Sequence, residues 1–405
     1  MKQFAKILIA ALAVAFVATG CGEKKARYVF LFIGDGMGFT HISTTEAYLA
    51  QTSGTHSGST PLTFTQFPVM GMATTYSASN PITCSSAAGT ALATGTKTKN
   101  HMLGMDPDTV ALKSIAYKIH DAGYKVGIMT TVGINHATPA AFYAHNANRS
   151  DYYPIGKELA ESGFEFFGGG GYLHPTGKDG DQPYLGIAAR EAGYTFARGK
   201  EEFEQKKCDK IIYTRGGEDP EGPLPYRFLR QDSDITLADV VRGAIEVLGN
   251  DSKGFFMMAE GGMIDFAAHA NDAINMINEV IDFDEAIAVA YQFYKEHPDE
   301  TLIVITADHE TGGITLGDSH GYQYDLTVFD EITLNEASND TETYLNSKSV
   351  KDEYSKSAHI GWTTTSHTGG AVPVFAVGAG SLKFAGRQDN TDIPKKICEA
   401  MGVEF

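Results

Sequence analysis

Carboxylates and imidazoles recur in this sequence at spacings that suit metal ions. The stretch Glu260-Gly-Gly-Met-Ile-Asp265-Phe-Ala-Ala-His269 is the most informative. Asp265 and His269 are spaced i,i+4, so they share a face if a helix begins after the glycines. A carboxylate and an imidazole together suit zinc. A helix N-terminal carboxylate beside a surface histidine is the plainer alternative. Glu260 stands earlier, at a strand end, where it can serve a neighbouring ion. Asp308-His309 follows Leu-Ile-Val-Ile-Thr, and at a strand terminus both side chains can reach one cation. Asp35 lies in Gly34-Asp-Gly-Met-Gly38, whose glycines either let backbone and metal approach closely or make a tight turn. His367, in Ser366-His-Thr-Gly-Gly, is one histidine among 13.

Two further residues bear on phosphate chemistry. Pro81-Ile-Thr-Cys-Ser85-Ser-Ala-Ala-Gly-Thr-Ala91 leads into small residues with helical spacing. Ser85 is therefore either a helix N-cap or a nucleophile placed where helix amides favour a phosphoryl anion. No G-x-S-x-G elbow points to a hydrolase triad. Arg149, in Ala-Asn148-Arg-Ser150, is a surface arginine or a bidentate phosphate clamp.

The elements that must position these groups are short apolar runs, each ending in a glycine-rich or polar turn. They cover 28–33, 126–132, 255–259, 302–306 and 372–377. Continuous runs of this length fit strands buried on both faces. Helical patterns lie between them at 112–122, 237–248 and 272–294. The alternation predicts an α/β fold, with a central, mostly parallel sheet and helices on both faces. Gly168 to Gly171 reads as a local loop, and the polar stretches 173–232 and 318–362 as irregular insertions or a cap. Ligands of such sheets bind beyond the carboxyl ends of the strands. Asp35, Glu260, Asp308 and His309 all fall there, so one crevice can collect them.

The bulk numbers set limits. The chain has 405 residues, 42% of them hydrophobic, and a formal charge of −18. That field repels nucleic acid, and no local basic patch offsets it. It also repels a phosphate ester, so a phosphate site must bring its own positive charge, as bound metal ions do. Residues 1–20 read as a signal peptide, with Lys2 and Lys6 before an apolar run at 7–17 that is too short to span a bilayer. Ala18-Thr19-Gly20-Cys21 resembles a bacterial lipoprotein box, with Cys21 as the lipidated residue and 21–27 as a tether. This predicts an exported protein, periplasmic or membrane-anchored by lipid alone. Cys84, Cys208 and Cys398 make no disulfide framework, though a Cys208–Cys398 bridge is open in an oxidising compartment.

Taken together, the motifs resemble the alkaline phosphatase family. Their order matches: Asp in Gly-Asp-Gly-Met-Gly, the serine at a helix start, a Thr-Pro segment with a downstream arginine, Glu-x4-Asp-x3-His, Asp-His, and His-Thr-Gly. The resemblance makes 28–405 one catalytic domain that hydrolyses small phosphate monoesters through a phosphoserine on Ser85. It implies two zinc ions and one magnesium ion. Asp265, His269 and His367 resemble the ligands of the first zinc, and Asp35, Asp308 and His309 those of the second. Asp35, Thr138 and Glu260 resemble the magnesium site. Arg149 resembles the phosphate clamp, thirteen residues after His136. The family also implies a homodimer.

Three departures stand out. Cys84 precedes the nucleophile where the family often has an aspartate that helps to position the arginine. His136 stands where some members have aspartate, which alters the magnesium site. Phe266 stands where some have lysine. Ser85 is preferred to Ser86 because it lies five residues before Thr90-Ala91. The competing readings are a superfamily phosphodiesterase or nucleotide pyrophosphatase, a sulfatase using Cys84, and a metal-binding surface lipoprotein without turnover. Glu260, Thr138 and Arg149 favour the monoesterase. Ser86 and Ala88 do not fit the sulfatase motif.

Overall fold

Strands form where the chain is continuously apolar. In the computed structural model, which describes residues 24–206, 208–217, 220–318, 321–331 and 347–405, fourteen strands are present. They are β1 (Tyr28–Gly34), β2 (Val69–Thr74), β3 (Lys125–Thr130), β4 (Phe166–Gly169), β5 (Thr195–Arg198), β6 (Ile211–Thr214), β7 (Phe255–Gly261), β8 (Thr301–Thr306), β9 (Glu310–Thr311), β10 (Ile314–Leu316), β11 (Ile360–Trp362), β12 (His367–Thr368), β13 (Val372–Gly378) and β14 (Gly386–Asp389). Ten make one sheet in the order β14-β2-β13-β8-β1-β7-β3-β4-β6-β5. β13 pairs antiparallel with both β8 and β2, while every other pairing in this sheet is parallel. The expected architecture, a mostly parallel sheet flanked by helices, is the one observed.

The helices that matter to the site are α1 (Phe39–Thr52), α2 (Ser85–Thr94), α3 (Ala137–Ala140), α4 (Leu237–Leu248), α5 (Met263–His269), α6 (Ala273–Glu296) and α7 (Lys348–Ser357). β1, β7 and β8 are buried at every residue, so both faces of the central sheet are covered. α4 packs on β3, β4 and β7, and α6 packs on β1, β7, β8 and α4. Phe30, Phe32 and Phe255 are wholly buried on the α6 side, and Phe256 is buried on the opposite face against Phe142. Each such ring contributes about 1.5–3 kcal/mol on removal from water.

The structure changes several expectations. The helix expected over 112–122 spans Ile115–Asp121, because the Ser114 hydroxyl accepts the N–H of Tyr117 and sets the start. The stretch 173–232 is not merely irregular: it supplies β5 and β6, which extend the sheet edge. Four-residue strands carry too little alternation to stand out in a polar segment. Gly168 and Gly169 end β4 rather than forming a loop. Gly169 has φ 138°, and a Cβ there would lie 1.9 Å from the Thr130 carbonyl oxygen, so the end of β4 approaches β3 this closely only as glycine. Cys208 and Cys398 are separate free thiols, and burial pushes Cys398 up to about 11. The leader and Cys21 lie outside the described residues. Among the described residues no helix is long and apolar enough to cross a membrane.

Candidate active site and metal centre

Strand register brings the acidic residues together. Ile33 pairs with Thr306 across β1 and β8, so Asp35 and Asp308 stand two residues further on along neighbouring parallel strands. Glu260, near the end of β7, pairs with Ile33 on one side and Thr130 on the other. β13 runs the opposite way, so the segment that enters it, β12 with His367, lies at the same edge of the sheet. β12 pairs with β9, directly after His309. α5 starts just after β7 and carries Asp265 and His269 on one face, as the i,i+4 spacing predicts.

The first set is Asp265, His269 and His367. His269 Nε2 lies 3.4 Å from Asp265 Oδ2 and 3.1 Å from His367 Nε2. The Nδ1 atoms face backbone carbonyls, His269 to Thr365 at 2.7 Å and His367 to Thr83 at 2.9 Å. A carbonyl only accepts, so each Nδ1 carries the proton. Two Nε2 lone pairs therefore face one another and a carboxylate, an arrangement that repels unless a cation sits between them.

The second set is Asp35, Asp308 and His309, all fully buried. His309 Nε2 lies 3.3 Å from Asp35 Oδ1 and 3.2 Å from Asp308 Oδ2. Thr311 Oγ1 donates to Asp265 Oδ1 at 2.6 Å and so must accept from His309 Nδ1 at 3.2 Å. This again aims the Nε2 lone pair at carboxylates. Both Asp35 oxygens, Asp308 Oδ2 and Glu260 Oε1 are buried without a hydrogen-bond partner. Burial, reinforced by neighbouring carboxylates, raises Asp35 well above the usual range and Glu260 to about 8, while burial alone raises Asp308. Buried anions without partners are costly unless cations balance them. The residues present thus fit divalent metal ions.

Asp35, His136 and Glu260 form a third set, with Thr138 Oγ1 buried and without a hydrogen-bond partner. Glu260 Oε2 accepts from Thr130. His136 is also 3.2 Å, through Nε2, from Arg149 Nη2. Guanidinium only donates, so the imidazole accepts there. Burial and the Arg149 charge lower His136 to about 3, which keeps it neutral with a single lone pair. That lone pair serves Arg149 or a cation, not both. Phe266 packs edge-to-face on the His136 ring at 5.7 Å between centroids.

Ser85 is not the N-cap of its helix. Cys84 holds that position, with an extended backbone and no side-chain cap bond, and Ser85 is the first helical residue. Its Oγ lies 3.2 Å from His309 Nε2, beside the second set. Close packing fixes α2: a Cβ on Gly89 would meet Ala141 Cβ at 3.2 Å and Thr138 Cα at 3.3 Å, so only a small residue fits against α3. Burial pushes the Cys84 thiol up. The His101 N–H, the Ser86 hydroxyl, the Ala87 N–H and the Arg149 charge outweigh it and hold the thiol below its ordinary value.

The sequence-predicted residues thus converge on one edge of the sheet. Sequence reasoning missed Thr311, Thr130 and the carbonyls of Thr83 and Thr365. Thr311 sits two residues after His309 in Asp-His-Glu-Thr, which is a findable signal; backbone carbonyls leave none.

Known proteins resemble this chain along most of its length. The sequence model described as "Alkaline phosphatase" matches residues 26–403. Alkaline phosphatase 4 of Bacillus subtilis (strain 168) is 33% identical, covering 91% of this chain and 87% of the relative. The crystal structure of a cold-active alkaline phosphatase from a psychrophilic Shewanella superposes with a TM-score of 0.81 at 29% identity, covering 92% of this chain and 99% of that one. A variant of the Antarctic bacterium TAB5 enzyme, with one histidine changed to glutamate and magnesium in its M3 site, superposes at 0.75 with 30% identity, covering 95% of this chain and 100% of that one.

Proposed function

This chain belongs to the alkaline phosphatase family and hydrolyses phosphate monoesters; from that premise we propose that Ser85 is its nucleophile and Arg149 its phosphate clamp. The observation that carries the assignment is Ser85 Oγ at 3.2 Å from His309 Nε2, in a group of buried anions and lone pairs.

Asp265, His269 and His367 would hold one zinc, and Asp35, Asp308 and His309 a second, since mixed nitrogen and oxygen donors suit that ion. Asp35, Thr138 and Glu260 would hold a third cation, magnesium by its oxygen donors, with His136 altering the site. When bound, such cations supply positive charge that stabilises attacking and leaving oxygens.

The chain's own residues do the rest. Ser85 Oγ attacks phosphorus as the ester P–O bond breaks, and the alcohol departs with a proton. Water then cleaves the Ser85 phosphoester, regenerating the hydroxyl and releasing inorganic phosphate. Arg149 donates two N–H groups to non-bridging oxygens. The start of α2 adds backbone amides that favour the anion.

The same proposal includes a single catalytic domain over 28–405, export by the leader, a lipid anchor at Cys21 and a homodimer. The leader composition supports the export step. The assignment is tested with p-nitrophenyl phosphate and its bis ester. Hydrolysis of the monoester should dominate and vanish in Ser85→Ala. A large diester preference, or full activity in that variant, would overturn it.

A further inference from the structure

Among the described residues no carboxylate pairs with Arg149 within 4.0 Å. Among the described residues its side chain makes one hydrogen bond, to His136. Its placement must come from elsewhere. We propose that Cys84 and His101 are positioning residues for the clamp, acting through one turn at 99–102 that braces the nucleophile against Arg149. This rests on the assignment of Ser85 and Arg149 above.

The turn closes through Met102 N–H to the Lys99 carbonyl at 3.1 Å. One side of it is fastened to the residues before Ser85. Asn100 Nδ2 donates to the Ile82 carbonyl at 3.0 Å, and Asn100 Oδ1 accepts from Cys84 N–H at 3.2 Å. His101 N–H donates to Cys84 Sγ at 3.1 Å. The other side is fastened to the clamp. Arg149 N–H donates to the His101 carbonyl at 2.8 Å. Leu103 and Asn146 exchange backbone hydrogen bonds at 2.8 and 2.9 Å. The peptide groups of His101 thus lie between the Cys84 sulfur and the Arg149 backbone.

His101 has φ 72°, a left-handed conformation uncommon outside glycine, and its side chain is exposed. Such strain persists only where the surroundings over-determine it. Here the Cys84 sulfur on one side and the Arg149 amide on the other supply that constraint. An aspartate at position 84 would hold the arginine by its side chain. Cys84 instead fixes where the arginine's backbone starts, and among the described residues the guanidinium is held by neutral His136 alone.

The test uses metal-loaded enzyme and two readouts, KM for p-nitrophenyl phosphate and the inhibition constant of inorganic phosphate. Cys84→Ala removes the acceptor and should raise both by roughly three- to tenfold, with kcat changed less and metal content unchanged. Cys84→Ser, which restores an acceptor for the His101 N–H without a charge for the guanidinium, should recover most of the loss. His101→Gly keeps both backbone bonds without strain and should stay within about twofold, whereas the β-branched His101→Val should weaken phosphate binding as Cys84→Ala does. The His101 pair keeps the test decisive should Cys84→Ala fold poorly, because that side chain is exposed. Unchanged phosphate affinity in folded Cys84→Ala or in His101→Val overturns the brace, as does equal weakening by Gly and Val. Arg149→Ala with unchanged phosphate affinity would instead overturn the clamp assignment itself.

Discussion

Arg149 Nη2 rests 3.2 Å from Nε2 of His136, a residue whose neighbours are the buried carboxylates of Asp35 and Glu260. One imidazole lone pair is claimed from two directions. Replacing it with a carboxylate removes the conflict, since Asp offers lone pairs enough for both. His136→Asp should therefore tighten divalent cation binding at the third set by roughly tenfold. Magnesium titration of chelator-treated protein, followed by calorimetry, measures this directly.

Ser85→Ala should lower kcat by about a thousandfold or more while leaving bound zinc at the wild-type level. The hydroxyl sits beside the second set, but Asp35, Asp308 and His309 remain to hold a cation without it. Rapid-quench detection of the phosphoenzyme, read alongside metal analysis, separates loss of the nucleophile from loss of metal.

Thr311 joins the first and second sets, donating to Asp265 and accepting from His309. Thr311→Val keeps the shape and removes both bonds. His309 then loses the partner that fixes its Nδ1 proton, and Asp265 loses a donor. Zinc affinity should fall by about 10- to 100-fold. Competition with a chromophoric chelator reads this without reference to turnover.

Away from the centre, Glu279 is buried and accepts the Arg227 N–H at 2.7 Å. Burial, then the charge of Asp282, pushes its pKa up to about 8 from an ordinary value near 4.5. The folded state holds a proton that the unfolded chain has released, so stability falls as pH rises between these values. Glu279→Gln removes that slope. It should leave stability at pH 5 little changed and raise it by about 1–3 kcal/mol at pH 9. Urea unfolding across that range is the measurement.

Chelation should abolish turnover and lower the melting temperature by several degrees, because cations that bind only the folded chain stabilise it by mass action. Zinc and magnesium returned together should restore both.

The central sheet was legible because strands buried on both faces are continuously apolar, and their ends carry the chemistry. Asp35, Glu260, Asp308 and His309 follow such runs directly. The edge strands β5 and β14, and β6 next to β5, are not legible, since four residues with polar neighbours hold no periodic signal. The helix before β3 was overextended because Ser114 reads as an ordinary polar residue until its hydroxyl is seen to cap Tyr117. The role of Ser85 turned on one register position: Cys84 takes the cap, which leaves the serine oxygen to face His309. The proton-setting carbonyls of Thr83 and Thr365 are backbone atoms, and any side chain could sit above them.

The direction of β13 has a consequence for assembly in time. Asp35, Asp308 and His309 are all present once β8 and its exit have formed. The set of Asp265, His269 and His367 is not, because His367 belongs to the segment leading into a strand that pairs antiparallel with β8. A chain emerging from its N-terminus can thus bring together Asp35, Asp308 and His309 early and the other set only after some sixty further residues. Until that last strand docks, Ser85 faces a finished set of ligands on one side while the set beside it still lacks His367.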